Sequence, residues 1–260
     1  MTALDWILVA LGAIALSGLA VLVLHGRRQN EQLEKLLLAD DDRLEQLQRQ
    51  FERFVPADVV ERLTEASDVL APERRQVTML FADLRGFTAL CDRLDPAVTV
   101  GILNDYFRHM TIAIGHHHGH VTEFVGDGLL ALFGALEANP WQARDAVLAA
   151  LDMRAALARY NATLRERGLP ELRFGIGIHG GEVVAGVIGT PGLSKFSVTG
   201  DPINVASRVE GLTARYEVDL LITEDIRRAL DDQFRLRPMP PALVKGKAEP
   251  IQTYHVEAER

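Results

Sequence analysis

Two aspartates stand where a catalyst would use them. Asp83 follows the apolar run Val77–Ala82, in the stretch FADLRGFT, and Asp127 lies between glycines in FVGDGLLALFG. An unbroken apolar run is what a buried strand needs, and a carboxylate at its end falls on the rim of a sheet. Gly126-Asp127-Gly128 between two apolar runs reads as a hairpin. If the two strands are neighbours, both carboxylates point to one place, and each pushes the other toward protonation. Divalent cations remove that cost, and two carboxylates with open positions suit two Mg²⁺ or Mn²⁺ that also hold phosphates. Either aspartate alone reads as a turn or capping residue; the pair in these contexts is much harder to read that way. Leu84, Arg85, Gly86, Phe87 and Thr88 come next. Gly86 lets the backbone approach a ligand closely, and amides of a turn entering a helix could bind a polyphosphate. Asn204 and Arg208, in DPINVASRVE, are four apart on a helix and share a face. An amide beside a guanidinium can hold a hydroxyl and stabilise an anionic phosphate, although such a pair alone is more often a solvated face. Lys245-Gly246-Lys247 adds positive charge that could meet terminal phosphates, where two lysines alone are usually surface.

The elements that must position these residues alternate between strand and helix over 74–260. Asp95-Pro96 caps a helix running to about Gly115. Val121–Val125 and Leu129–Phe133 form the hairpin. Asn139-Pro140 opens a long helix that closes near Gly168. Phe174–His179 and Glu182–Ile188 read as a strand pair turned at Gly180-Gly181. Asp201-Pro202 caps the helix of Asn204 and Arg208. Val218–Ile222, a short helix from Thr223 and strands around 234–257 complete the region. The order β-α-β-β-α-β predicts an α+β, ferredoxin-like arrangement with additions. His116, His117, His118 and His120 fall in the connection between a helix and a strand. A solvated loop is the better reading, because no cysteine or spaced carboxylate completes a ligand set.

Ahead of this region the sequence changes character. Trp6–Leu24 is a stretch of about 19 residues without a charge, close to the ~20 that cross a bilayer as a helix. Asp5 before it is the wrong sign for a cleaved secretory signal. Arg27, Arg28 and Lys35 after it place the following chain in the cytoplasm. Residues 1–26 therefore read as a transmembrane signal anchor of the cell membrane. Leu33, Leu37, Leu44, Leu47, Phe51 and Phe54 fall on alternating steps of three and four, broken at Asp40, a seam of about three heptads. Residues 27–73 read as a coiled coil and linker that pairs two copies, the alternative being an amphipathic helix lying on its own domain.

The motifs FADLRGFT, FVGDGLLALFG, GIHGGEVVAGVIG, GDPINVASR and VKGK, in this order over 74–260, resemble the class III nucleotidyl cyclases, the adenylate and guanylate cyclase family. The resemblance implies a homodimer with active sites at the interface. One subunit would give the metal ligands Asp83 and Asp127 and the phosphate-binding turn Leu84, Gly86, Phe87 and Thr88. The other would give Asn204, orienting the ribose, and Arg208, stabilising the transition state. One of Lys245 and Lys247 would bind the triphosphate. The substrate would be ATP or GTP, cyclised to a 3′,5′-cyclic nucleotide with loss of pyrophosphate. At the base-reading positions this chain has Glu123 and Ser197. Glu123 matches the guanylate type, since a carboxylate accepts from guanine N1–H and the 2-amino group; Ser197 can donate or accept and decides little. Adenylate cyclases are the common bacterial case, so both bases stay open. Glu182 stands where some relatives place a phosphate-contacting arginine. The alternative is a catalytically silent domain that binds nucleotide or regulates a partner.

Composition agrees. Of 260 residues, 48% are hydrophobic and 25% charged, which excludes a disordered chain or a multi-span membrane protein. Lys plus Arg is 28 against 36 Asp plus Glu, a formal net charge of −8, so nucleic acid is not an expected partner. The single cysteine, Cys91, excludes an intrachain disulfide.

Overall fold

The computed structural model describes residues 72–190 and 193–259. The expected transmembrane anchor and coiled coil lie outside the described residues. No helix among the described residues is long and apolar enough to cross a membrane.

The chain runs β1 (Glu73–Leu84), α1 (Phe87–Cys91), α2 (Pro96–Gly115), β2 (Gly119–Val125), β3 (Gly128–Phe133), α3 (Gln142–Glu166), β4 (Phe174–Thr190), β5 (Leu193–Thr199), α4 (Asp201–Tyr216), β6 (Leu220–Thr223), α5 (Glu224–Arg228), β7 (Phe234–Pro238) and β8 (Thr253–Glu259). The strands form one mixed sheet in the order β2-β3-β1-β4-β6-β8-β7, with β5 pairing β4. The first four strands with α2 and α3 are the ferredoxin-like βαββαβ unit that the motif order predicts. The strands from β5 onward are the additions.

The unbroken apolar run in β1 has a direct cause. Leu80, Ala82 and Leu84 pack with Tyr106, Met153 and other residues of α2 and α3 in the main core. Val77 and Met79, on the opposite face, pack with Leu132, Val183 and Ala206 beneath α4. Both faces of β1 are covered, so alternation would leave polar groups buried. Asp95 caps α2 as expected, its Oδ1 accepting from Ala97 N at 2.8 Å and Val98 N at 3.3 Å.

Two local readings are corrected. No turn occurs at Gly180-Gly181: β4 continues through both, paired with Thr78 and Val77 of β1. These glycines, with Gly175 and Gly177, admit neighbours. A Cβ on Gly181 would stand 2.6 Å from Pro202 of α4, and one on Gly177 only 2.1 Å from the Glu210 backbone nitrogen. The strand gives up side chains so that α4 can lie against it. Asp201, read as a cap, is instead the first helical residue, and Gly200 takes the cap position. The Asp201 carboxylate accepts from Lys247 Nζ at 2.5 Å.

Candidate active site

The β1, β3 and β4 ladders bring Asp83 and Asp127 to one end of the sheet. Ala82 pairs with Leu129 and Asp83 with Gly175, so the β2–β3 hairpin that carries Asp127 stands beside the end of β1. A Cβ on Gly128 would be 3.0 Å from Asp83 Oδ1; glycine there leaves room for the carboxylate to lean across β3. Partial burial raises the Asp83 carboxyl above its usual range and the Asp127 charge raises it further, against a bond from the Leu84 amide. The expected meeting of the two aspartates is what the structure contains.

The turn after Asp83 is shaped by Gly86 in the left-handed conformation, φ 68°, at the start of α1. Leu84 and Phe87 are buried in the main core and pin both ends of the turn, while Thr88 is exposed. Arg85 N donates to Arg173 O at 2.7 Å and Arg85 Nη2 donates to Val218 O.

A third carboxylate belongs to this end of the sheet. Glu210 of α4 lies across β4, its Oε1 2.5 Å from where a Cβ on Gly175 would stand. Burial pushes its carboxyl up to about 7, with Asp83 adding to the rise, Arg85 opposing it and Asp127 contributing less. Tyr106, deeply buried in α2, has its hydroxyl pushed up by burial and then by Asp83, Asp127 and Glu210. Among the described residues, no group of three or more His, Cys, Asp and Glu side chains is arranged to hold a metal ion by itself. The residues nevertheless fit a divalent cation: two carboxylates are held together against their own repulsion, and Gly128 contributes no side chain between them.

Asn204 and Arg208 are not brought to the aspartates. Successive helical residues turn by about 100°, which divides α4 into three faces. Ala206, Glu210 and Thr213 face the sheet. Val205, Val209 and Leu212 pack on Leu221, Met239, Ala242 and Val244. Asn204, Ser207, Arg208 and Gly211 take the remaining, outward side, where Asn204 and Ser207 are exposed. The outward pair thus projects nearly opposite to Glu210. The Lys245–Lys247 turn reaches Arg208 of this outward pair. A Cβ on Gly246 would be 3.2 Å from Arg208 Nη1, and Gly246 has φ +80°. Lys247 is ion-paired to Asp201 and Lys245 is exposed. The chain therefore places the two carboxylates and the Leu84–Thr88 turn at one place, and the amide, guanidinium and lysines at another.

Glu123 and Ser197 are also apart. Glu123 sits on β2 just past a register shift, opposite Leu130. Ser197 is buried on β5 opposite Gly186. Strands β3, β1 and β4 intervene between β2 and β5, which makes four inter-strand steps or about 19 Å. Glu182 accepts from Arg74 Nη1 at 2.6 Å, on the exposed surface. His117 pairs with Asp152 at 2.8 Å and His118 with Asp145 at 3.5 Å. A cavity of about 940 Å³ borders His118, His120, Trp141 and Asp231. It lies beyond the other end of β3 from Asp127, and the carboxylates take no part in it.

The sequence reading does not single out Glu210, although it closes the same DPINVASRVE stretch. A detectable signal was its place on the Ala206–Glu210–Thr213 stripe, an acid where a sheet-facing helix should be apolar.

Residues 69–258 match the family model of the adenylate and guanylate cyclase catalytic domain. An adenylate cyclase of Anabaena cylindrica is 37% identical over 219 residues, 80% of this chain and 43% of that protein. The chain thus spans less than half the length of that relative. Among solved structures, the guanylyl cyclase Cya2 superposes with a TM-score of 0.69 at 34% identity, covering 74% of this chain and 96% of that one. The adenylyl cyclase CyaB from P. aeruginosa gives 0.69 at 27% identity, covering 74% and 98%. On the match over residues 69–258, the chain belongs to the adenylate and guanylate cyclase catalytic domain family.

Proposed function

We propose that this chain is a homodimeric nucleotidyl cyclase, converting ATP or GTP to the 3′,5′-cyclic nucleotide and pyrophosphate at sites shared between two subunits. The observation that carries the reading is the division of the site. Asp83 and Asp127 converge at the sheet end, while Asn204 and Arg208 project from the outward face of α4. Two copies facing each other can bring one half-site of each to the other.

Asp83 and Asp127 would hold two Mg²⁺ or Mn²⁺, and the turn Leu84–Thr88 would receive the phosphates. Bound there, the cations would lower the pKa of the ribose 3′-hydroxyl and neutralise the leaving pyrophosphate. Asn204 of the other subunit would hold the ribose so that its 3′-oxygen faces the α-phosphorus in line. Arg208 would neutralise charge on the α-phosphate as the bond to the leaving oxygen breaks. Lys245 or Lys247 would meet the terminal phosphates, Lys247 by leaving Asp201. No side-chain nucleophile is required. Glu123 would read the base, with Ser197 of the other subunit closing the pocket. A carboxylate there favours guanine, whose N1–H and 2-amino group both donate. In this reading residues 1–26 anchor the protein in the cell membrane, and the coiled coil of 27–73 pairs the two catalytic domains in the cytoplasm.

The test offers the purified full-length chain ATP and GTP, separately and together, with Mg²⁺ or Mn²⁺, and identifies products by mass spectrometry. Cyclic GMP is expected in excess of cyclic AMP, and Glu123→Lys should shift the preference toward ATP. A preference that Glu123→Lys leaves unchanged refutes the base-reading role. No cyclic product from a folded dimer with both metals refutes the enzyme and favours a silent domain.

A further inference from the structure

The third carboxylate at the sheet end is the part of the site that the two-aspartate reading leaves unused. Across the sheet, Gly128, Asp83 and Gly175 stand side by side on β3, β1 and β4, all on the face covered by α4. The two glycines flank the aspartate. The Asp83 carboxylate leans over Gly128, with Oδ1 3.0 Å from that Cβ position, and the Glu210 carboxylate lies over Gly175, with Oε1 2.5 Å from that one. Opposed Cβ positions in an antiparallel pair are about 4.5–5.5 Å apart. Glu210 Oε1 therefore stands within about 8 Å of the root of the Asp83 side chain.

Its position is built in. The Glu210 backbone presses directly on Gly177, where a Cβ would meet N at 2.1 Å and Cα at 2.6 Å. Ala206 and Thr213 continue the same contact, and Thr213 Oγ1 shares the space over Gly175 with the carboxylate. An acid in a contact this close costs stability unless it is paired and hydrogen-bonded. Arg85 is the cation beside it and the Thr213 hydroxyl also favours its charged form, but Arg85 spends one nitrogen on Val218 O, and Asp83 and Asp127 oppose that charge.

We infer that Glu210 is a positioning residue for the divalent cations, set behind Asp83 so that its negative charge strengthens metal binding without ligating directly. The inference rests on the reading of Asp83 and Asp127 as metal ligands. It agrees with the observation that the three carboxylates do not form a chelating group. Partners placed behind metal ligands typically change affinity by about 10–100-fold when removed. At this site the effect should lie near the lower bound, since Arg85 screens part of the charge.

The experiment measures Mn²⁺ binding by electron paramagnetic resonance, reading free Mn²⁺, on the full-length protein and on Glu210→Gln, Glu210→Asp and Asp83→Ala. Circular dichroism confirms that each is folded. Glu210→Gln keeps the shape and should weaken Mn²⁺ binding about tenfold. Glu210→Asp keeps the charge and should stay within about threefold of the wild type. A purely structural role predicts equal affinity in the wild type and every folded Glu210 variant, and that result overturns the inference. If Glu210→Gln does not fold, a Glu210→Asp protein that loses as much affinity as Asp83→Ala overturns it instead, because charge at this position would then not suffice. If Asp83→Ala binds Mn²⁺ like the wild type, the metal-ligand reading itself fails and the inference with it. The two failures are therefore distinguishable.

Discussion

Asp83 and Asp219 stand on the same sheet, Asp83 at the end of β1 and Asp219 just before β6, yet their surroundings are opposite. Asp219 accepts from Arg154 Nε at 2.7 Å and Arg154 Nη2 at 2.9 Å, and His255 Nε2 lies 3.3 Å away. Arg154 also donates to the Glu257 and Val256 carbonyls. Burial works against the Asp219 charge, but these bonds outweigh it and hold the carboxyl at about 2. Asp83 is drawn the other way, by partial burial and by Asp127. One carboxylate is completed within the chain and serves the fold. The other is held beside like charge, which costs stability, and in the proposed function it serves chemistry. Sites that work against the fold mark function more reliably than sites that support it.

Exchanging these properties by mutation breaks the comparison where it is weakest. Asp83→Ala should lower cyclase activity by about a thousandfold or more, the loss expected when several kcal/mol of metal-borne stabilisation disappears. The same change should leave the melting temperature of the metal-free protein unchanged or higher, because a repulsion has been removed. A large fall in melting temperature would show that Asp83 is structural. Arg154→Leu should do the reverse, leaving activity within a few-fold while destabilising the fold by about 2 kcal/mol. That is below the figure for a fully buried pair, since both side chains keep some solvent contact. The acid limb sharpens this contrast. Asp219 has a lower pKa folded than unfolded, so its contribution is present above its ordinary value of 3.8 and is lost as pH falls toward about 2. Urea titrations of the wild type and Arg154→Leu should converge over that window. The smallest effect belongs to Arg74→Ala, which breaks the pair with Glu182. With side chains 78% and 50% exposed, the stability change should be within about 0.5 kcal/mol.

Much of this was legible in the sequence where local chemistry decides. The Asp95-Pro96 cap, the Gly126-Asp127-Gly128 hairpin and the apolar run before Asp83 each carry their own signal, and together they place the two aspartates. What was not legible depends on register. Gly180-Gly181 reads as a turn because glycine pairs usually are; only the contacts of Gly181 with Pro202 and of Gly180 with Ile226 show that these glycines make room for helices on the two faces of the strand. Asp201-Pro202 reads as a cap, and only the fold brings Lys247 to Asp201. Glu210 sits in plain view two residues after Arg208, yet its meaning depends on Gly175 lying opposite Asp83, a pairing between residues 92 positions apart. Arg154 and Asp219, 65 apart, carry no local signal at all.

The central claim is that each active site draws on two chains. Its most direct test mixes Asp83→Ala protein with Arg208→Ala protein, each inactive alone, under conditions that allow subunits to exchange. Random pairing makes half of the dimers mixed, and each mixed dimer has one intact site of two, so activity should return to about a quarter of the wild-type value. Mixtures that form mixed dimers but stay as inactive as their components would contradict the shared site and place all four residues in the service of a single chain.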